Sequence, residues 1–133
     1  VIFSVDTNVI LDVLLADPIY GPSSKKTLEA ALARGRLIIC PLVYAELAPL
    51  FDTPEDLDRT LATMGIKLKP FTREVLHTAG IWWKEFLKRG GKRKNRILAD
   101  FLIAAFAGQT SQALITRDAF FEKYVTVVYS RET

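Results

Sequence analysis

The sequence predicts an α/β domain, a parallel sheet of about five strands with helices on both faces. Three observations predict it. Short runs rich in apolar and β-branched residues recur at 1–5, 37–40, 66–71, 113–116 and 125–129. Each of the first four is followed by helix-start residues and a helical stretch. No repeat, low-complexity tract or linker interrupts this alternation, so residues 1–133 read as one domain.

Taken in order, Val1–Val5 is a buried strand with Ser4 its only polar residue. Asp6-Thr7-Asn8 opens a helix from Val9 to about Leu15, and Asp17–Pro22 is a loop with two prolines and a glycine. Ser23 or Ser24 caps a helix over Lys25–Arg34, which Gly35 stops. Leu37–Cys40 is the second strand, and Pro41 suits the first turn of a helix carrying Glu46. Pro49 ends that helix. Thr53 caps a helix to about Thr63, Ile66–Phe71 is the third strand, and Thr72 opens a helix to about Lys88. Gly90-Gly91 breaks the chain before a helix from about Arg96 to Ala107, stopped by Gly108. Ala113–Thr116 is the fourth strand, Asp118 begins a short helix, and Val125–Tyr129 is the fifth strand.

Composition narrows the function classes. One cysteine, Cys40, excludes an internal disulfide or a CxxC site, and reads as a buried apolar residue. One histidine, His77, excludes a multi-histidine zinc site or a histidine-pair ribonuclease mechanism within the chain; it reads as a surface or boundary residue. No apolar run reaches the roughly 18–20 residues that cross a bilayer. Nor does the sequence open on a basic segment followed by an apolar one. A soluble, cytoplasmic protein is the expectation. The net charge of +3 favours an anionic partner. Much of the excess lies in one stretch containing Lys84, Lys88, Arg89, Lys92, Arg93, Lys94 and Arg96. That stretch is either a solvated loop or a collector of nucleic-acid phosphates, and Lys92, Arg93, Lys94 and Arg96 are its candidate RNA-binding residues.

The acids carry the chemistry. Asp6 and Asp118 follow two strands, where each is a helix cap or a site residue. Asp100 sits in Ile97–Phe106, apolar nearly all round, where a carboxylate is costly unless paired or bound to a cation. Arg96, one turn earlier, is the pairing alternative. Glu46 has Leu42, Val43, Pro49 and Leu50 as same-face neighbours, so it points at solvent or into a pocket. Asp12 reads as an exposed helix acid, with a site role the weaker alternative. Carboxylates ~4 Å apart repel by about 4 kcal/mol per pair at an effective dielectric near 20. Gathering four of them requires a hard cation such as Mg²⁺ or Mn²⁺.

These residues resemble the PIN-domain nucleases, and among them the VapC toxins of prokaryotic toxin–antitoxin pairs. Val5-Asp6-Thr7-Asn8-Val9-Ile10 is similar to the family's first motif. Pro41–Leu47, Ala99–Ala105 and Leu114–Phe121 resemble the second, third and fourth. Together they span essentially the whole chain, in order and on the expected elements. The resemblance implies a single Rossmann-like PIN domain and a Mg²⁺- or Mn²⁺-dependent endoribonuclease that leaves 5′-phosphate and 3′-hydroxyl ends. It assigns Asp6, Glu46, Asp100 and Asp118 to metal binding and catalysis. Thr7 and Asn8 fall where the family orients the first acid, and Thr116 where it places a hydroxyl near the pocket. A cognate antitoxin and a homodimer are further implications, with Trp82 or Trp83 a candidate for the dimer face. Pro49 departs from the pattern and leaves the shape of the neighbouring partner-binding helices open.

Two other readings compete. A receiver-like phospho-acceptor domain fits the length and alternation. It expects an acidic pair after the first strand, however, where Asp6-Thr7-Asn8 has one acid, and an acceptor Asp after the third, which here ends Lys69-Pro70-Phe71. A catalytically inactive binding module conflicts with the presence of all four acids.

Overall fold

The computed structural model describes residues 1–93 and 96–130. Five strands, β1 (Ile2–Val5), β2 (Arg36–Ile39), β3 (Ile66–Leu68), β4 (Ala113–Thr116) and β5 (Val127–Tyr129), form one sheet in the order β3-β2-β1-β4-β5. Every neighbouring pair is parallel. Among the described residues six helices connect them: α1 (Thr7–Leu14), α2 (Gly21–Arg34), α3 (Pro41–Leu47), α4 (Pro54–Thr63), α5 (Arg73–Lys88) and α6 (Leu98–Thr110). Short 3₁₀ turns occupy Ala48–Leu50 and Ala119–Lys123. The predicted α/β class and parallel sheet are what the structure shows.

Successive strand residues face opposite sides of a sheet. Phe3, Ser4 and Val5 of β1 and all of β4 are buried, so both faces of the central sheet are covered. The largest fully buried side chains are Phe101, Phe106 and Phe121. Trp83 and Tyr124 pack on Phe101, and Trp82 packs on Tyr124. Both tryptophans therefore belong to this aromatic cluster. Cys40 is buried and His77 exposed, as expected. The hydroxyl of Ser4 is buried without a hydrogen-bond partner among the described residues.

Boundaries differ where backbone chemistry intervenes. β3 ends at Leu68 rather than Phe71: the Lys69 amide still reaches the Ile39 carbonyl at 3.0 Å, but Pro70 has no N–H to continue. α2 starts at Gly21, earlier than Lys25, because Pro22 is tolerated in a first turn. The predicted loop shortens accordingly, and Asp17 closes it by accepting from the amides of Ile19 and Tyr20. α6 starts at Leu98 and runs through Gly108 to Thr110. Gly35 does end α2, for want of space: a Cβ there would lie 1.7 Å from the Val1 carbonyl oxygen, which accepts from Arg36 N.

The connectivity places the site. From β1 the chain moves outward to β2 and β3, then crosses back to β4 on the other side of β1. Where strand order reverses in this way, a crevice opens beyond the carboxyl ends of the two strands. Val5 is in register with Ile115, and the Asp6 amide donates to the Ile115 carbonyl at 2.9 Å.

Candidate active site

Asp6, Glu46, Asp100 and Asp118 line one cavity of 360 Å³, together with Thr7 and Asn8. The convergence inferred from sequence is thus present in the fold. A broader hollow of 660 Å³ beside β5 shares none of the described residues with it and has Glu122 as its one acid among them.

Asp6 follows β1 and caps α1, accepting from Thr7 N at 2.8 Å. Its other oxygen accepts from the Thr116 hydroxyl at 2.7 Å. Burial raises its carboxyl above the usual range, and the charges of Glu46 and Asp118 add to this. Hydrogen bonds from Thr116 and Thr7 pull the other way without cancelling it.

The hydroxyl of Thr7 does not turn to Asp6. It donates to Glu46 Oε1 at 2.6 Å and so orients the second acid. Glu46 is exposed along α3 yet lines the cavity. Asn8 is exposed at the rim. Thr116 is fully buried and bridges the two strand ends: it donates to Asp6 and accepts from Asp118 N at 3.0 Å.

Asp100 has more structural purpose than its sequence context predicts. It stands in the first turn of α6 and accepts from Ile97 N at 3.0 Å, satisfying an amide that the helix leaves free. Its side chain is partly exposed rather than sealed in the core. Arg96 comes only to 4.0 Å from it.

Arg96 belongs instead to Asp118. Nη1 reaches Asp118 Oδ2 at 2.6 Å and Nη2 reaches Oδ1 at 3.1 Å. The guanidinium also lies 4.0 Å from the centre of the Phe120 ring. Asp118 further accepts from Phe120 N at 2.9 Å. Partial burial pushes the Asp118 carboxyl upward, but the hydrogen bonds from Arg96 and Phe120 and the Arg96 charge outweigh this and leave it lowered. Sequence order gave no sign of this pair, since the partners lie 22 residues apart on different elements.

Asp12 corrects an expectation. It is buried, not an exposed helix acid. Arg117 grips both its oxygens at 2.9 and 3.0 Å, and Ser24 donates to it at 2.7 Å. The guanidinium of Arg117 rests 4.0 Å above the Tyr20 ring. Arg117 is adjacent to Asp118, so this pair anchors the turn that presents the fourth acid.

Lys92 and Arg93 are exposed, with Arg93 5.6 Å from the Trp83 ring. Lys94 lies outside the described residues. No helix among the described residues is long and apolar enough to cross a membrane.

The donor set suits a hard divalent cation. Asp6, Glu46 and Asp100 offer oxygens, and the mutual charge that opposes ionisation of Asp6 is what such a cation relieves. Among the described residues no three His, Cys, Asp or Glu side chains come together closely enough to hold a metal ion. Mg²⁺ needs fewer, since it keeps water and takes one or two carboxylates.

The PIN domain family model matches residues 4–126. No curated protein matches the chain. Solved assemblies that contain a chain of similar fold include the following three. In VapBC2 from Rickettsia felis bound to a DNA fragment from their promoter, the likeness covers 97% of this chain and 98% of that one, with TM-score 0.74 and 19% identity. For VapBC-1 from nontypeable Haemophilus influenzae it covers 98% of both, with TM-score 0.71 and 20% identity. For a toxin–antitoxin complex from Klebsiella pneumoniae the coverage is again 98% of both, with TM-score 0.71 and 19% identity.

Proposed function

Since the chain belongs to the PIN domain family, we propose that it is a divalent-cation-dependent endoribonuclease and the toxin of a VapBC-type pair. The observation that carries the catalytic part is the single cavity lined by Asp6, Glu46, Asp100 and Asp118 at the β1/β4 crevice. The toxin assignment is supported by full-length fold likeness to chains of VapBC assemblies.

When bound, a divalent cation supplies a Lewis acid for the phosphoryl group and lowers the pKa of an attacking water. Asp6, Glu46 and Asp100 would hold it, Mg²⁺ or Mn²⁺ both suiting oxygen ligands. Thr116 and the Thr7 amide fix Asp6, while the Thr7 hydroxyl fixes Glu46. Lys92 and Arg93 attract the RNA backbone without reading its sequence. The partners are an RNA substrate and an antitoxin, with a homodimer in the cytoplasm as the working state.

The test is cleavage of RNA by the purified protein with Mg²⁺ or Mn²⁺, with EDTA, and in the Asp6→Asn and Asp100→Asn variants. Activity is expected only with metal, and each variant should lose at least ~10²-fold. Cleavage that survives EDTA, or full activity in both variants, overturns the reading.

A further inference from the structure

Arg96 ends the basic stretch in sequence but stands at the acidic cavity in space. Its guanidinium carries five N–H donors. Two go to Asp118, and the 4.0 Å approach to Asp100 is too long for a hydrogen bond. Among the described residues, three donors are left without an acceptor. The group is held along one edge by Asp118 and covered on one face by the Phe120 ring. It is therefore a fixed cation beside a cavity lined by four carboxylates.

The same contacts limit what Asp118 can do. A carboxylate oxygen has two lone pairs. Oδ1 of Asp118 commits both, to Arg96 Nη2 and Phe120 N. Oδ2 commits one to Arg96 Nη1. By contrast each Asp6 oxygen has one recorded donor, Asp100 Oδ1 has no hydrogen bond among the described residues, and Glu46 accepts through Oε1 from Thr7. The acids thus divide into three whose oxygens each take at most one donor and one, Asp118, whose Oδ1 is filled and whose two oxygens are both engaged by an arginine.

We infer that Arg96 is a catalytic residue that binds a non-bridging oxygen of the scissile phosphodiester, and that Asp118 is its positioning residue rather than a metal ligand. This rests on the ribonuclease reading above. Hydrolysis forms a bond from the water oxygen to phosphorus and breaks the bond from phosphorus to the 3′ oxygen. The proton that water loses passes to solvent, and the departing 3′ oxygen takes one up. Negative charge on the phosphoryl oxygens must be held close to several carboxylates meanwhile. A guanidinium already locked in place does so with no reorganisation, and its planar fork matches two phosphate oxygens.

The experiment compares Arg96→Lys, Arg96→Gln, Asp118→Asn and the Arg96→Gln/Asp118→Asn double variant with wild type. Steady-state RNA cleavage is read beside Mn²⁺ affinity by calorimetry, with thermal melting as a control for folding. Each variant is expected to lose about 10²-fold in kcat, with KM and Mn²⁺ affinity within about threefold. The double variant should be no slower than Arg96→Gln, because Asp118 acts through Arg96. A tenfold loss of Mn²⁺ affinity in Asp118→Asn (about 1.4 kcal/mol) makes Asp118 a ligand and overturns the inference. So do losses that multiply in the double variant, or full kcat in Arg96→Lys, which keeps the charge but not the fork. Absence of metal-dependent cleavage by the wild type instead defeats the ribonuclease reading itself.

Discussion

The Thr7 hydroxyl donates to Glu46 Oε1 at 2.6 Å, so the first residue of α1 sets a carboxylate carried by α3. Replacing Thr7 with Val keeps the shape and removes the bond. Cleavage should slow by roughly tenfold, and stability should fall by about 1 kcal/mol. Thr7→Ser should retain both. Equal rates for the Val and Ser variants would mean that Glu46 needs no orienting.

Asp6 carries a folding cost. Its carboxyl is raised by burial, so ionising it opposes folding. A raised folded-state value means that its contribution is most favourable below the unfolded value and is lost as pH rises through the folded one. Asp6→Asn in EDTA should therefore melt a few degrees higher than wild type at pH 7. The advantage should vanish near pH 3, where both forms are neutral. A lower melting temperature for Asp6→Asn at pH 7 contradicts this.

The Asp12–Arg117 pair makes an asymmetric prediction. Asp12 is almost wholly buried, whereas the Arg117 side chain is about a quarter exposed. Arg117→Met leaves a buried carboxylate unpaired and should cost about 3 kcal/mol in urea denaturation. Asp12→Asn frees a guanidinium that can turn to water, and should cost less. The reverse order would show that the exposed partner is the one that suffers.

Lys92 and Arg93 are exposed cations close in sequence to Arg96. Changing both to Gln should reduce the slope of log affinity against log salt for single-stranded RNA by about 1.4, at about 0.7 per phosphate contact. An unaltered slope removes them from the binding surface.

The fold was legible because each element announces itself locally: β-branched runs for strands, Thr53 and Thr72 as caps that the structure confirms, Pro41 in a first turn. Errors arose where a residue's role depends on what lies across from it. Pro70 ends a strand whose apolar pattern runs on. Gly108 lies inside α6 because the helix is carried past it by packing. Four acids could be picked out, but not the pairing of Arg96 with Asp118 rather than Asp100, which needs β4 and α6 set side by side. Asp12 was misread for the same reason, its partners Ser24 and Arg117 being 12 and 105 residues away. Periodicity describes a face; it does not say what meets it.

The Thr116–Asp6 hydrogen bond joins residues 110 apart. During synthesis the first acid leaves the ribosome long before the last. β1 must wait for β4 before the crevice between them exists, and Asp118 arrives with that same turn. A growing chain therefore carries its four acids in pieces, and the crevice that gathers them forms only once β4 and the turn after it have been made.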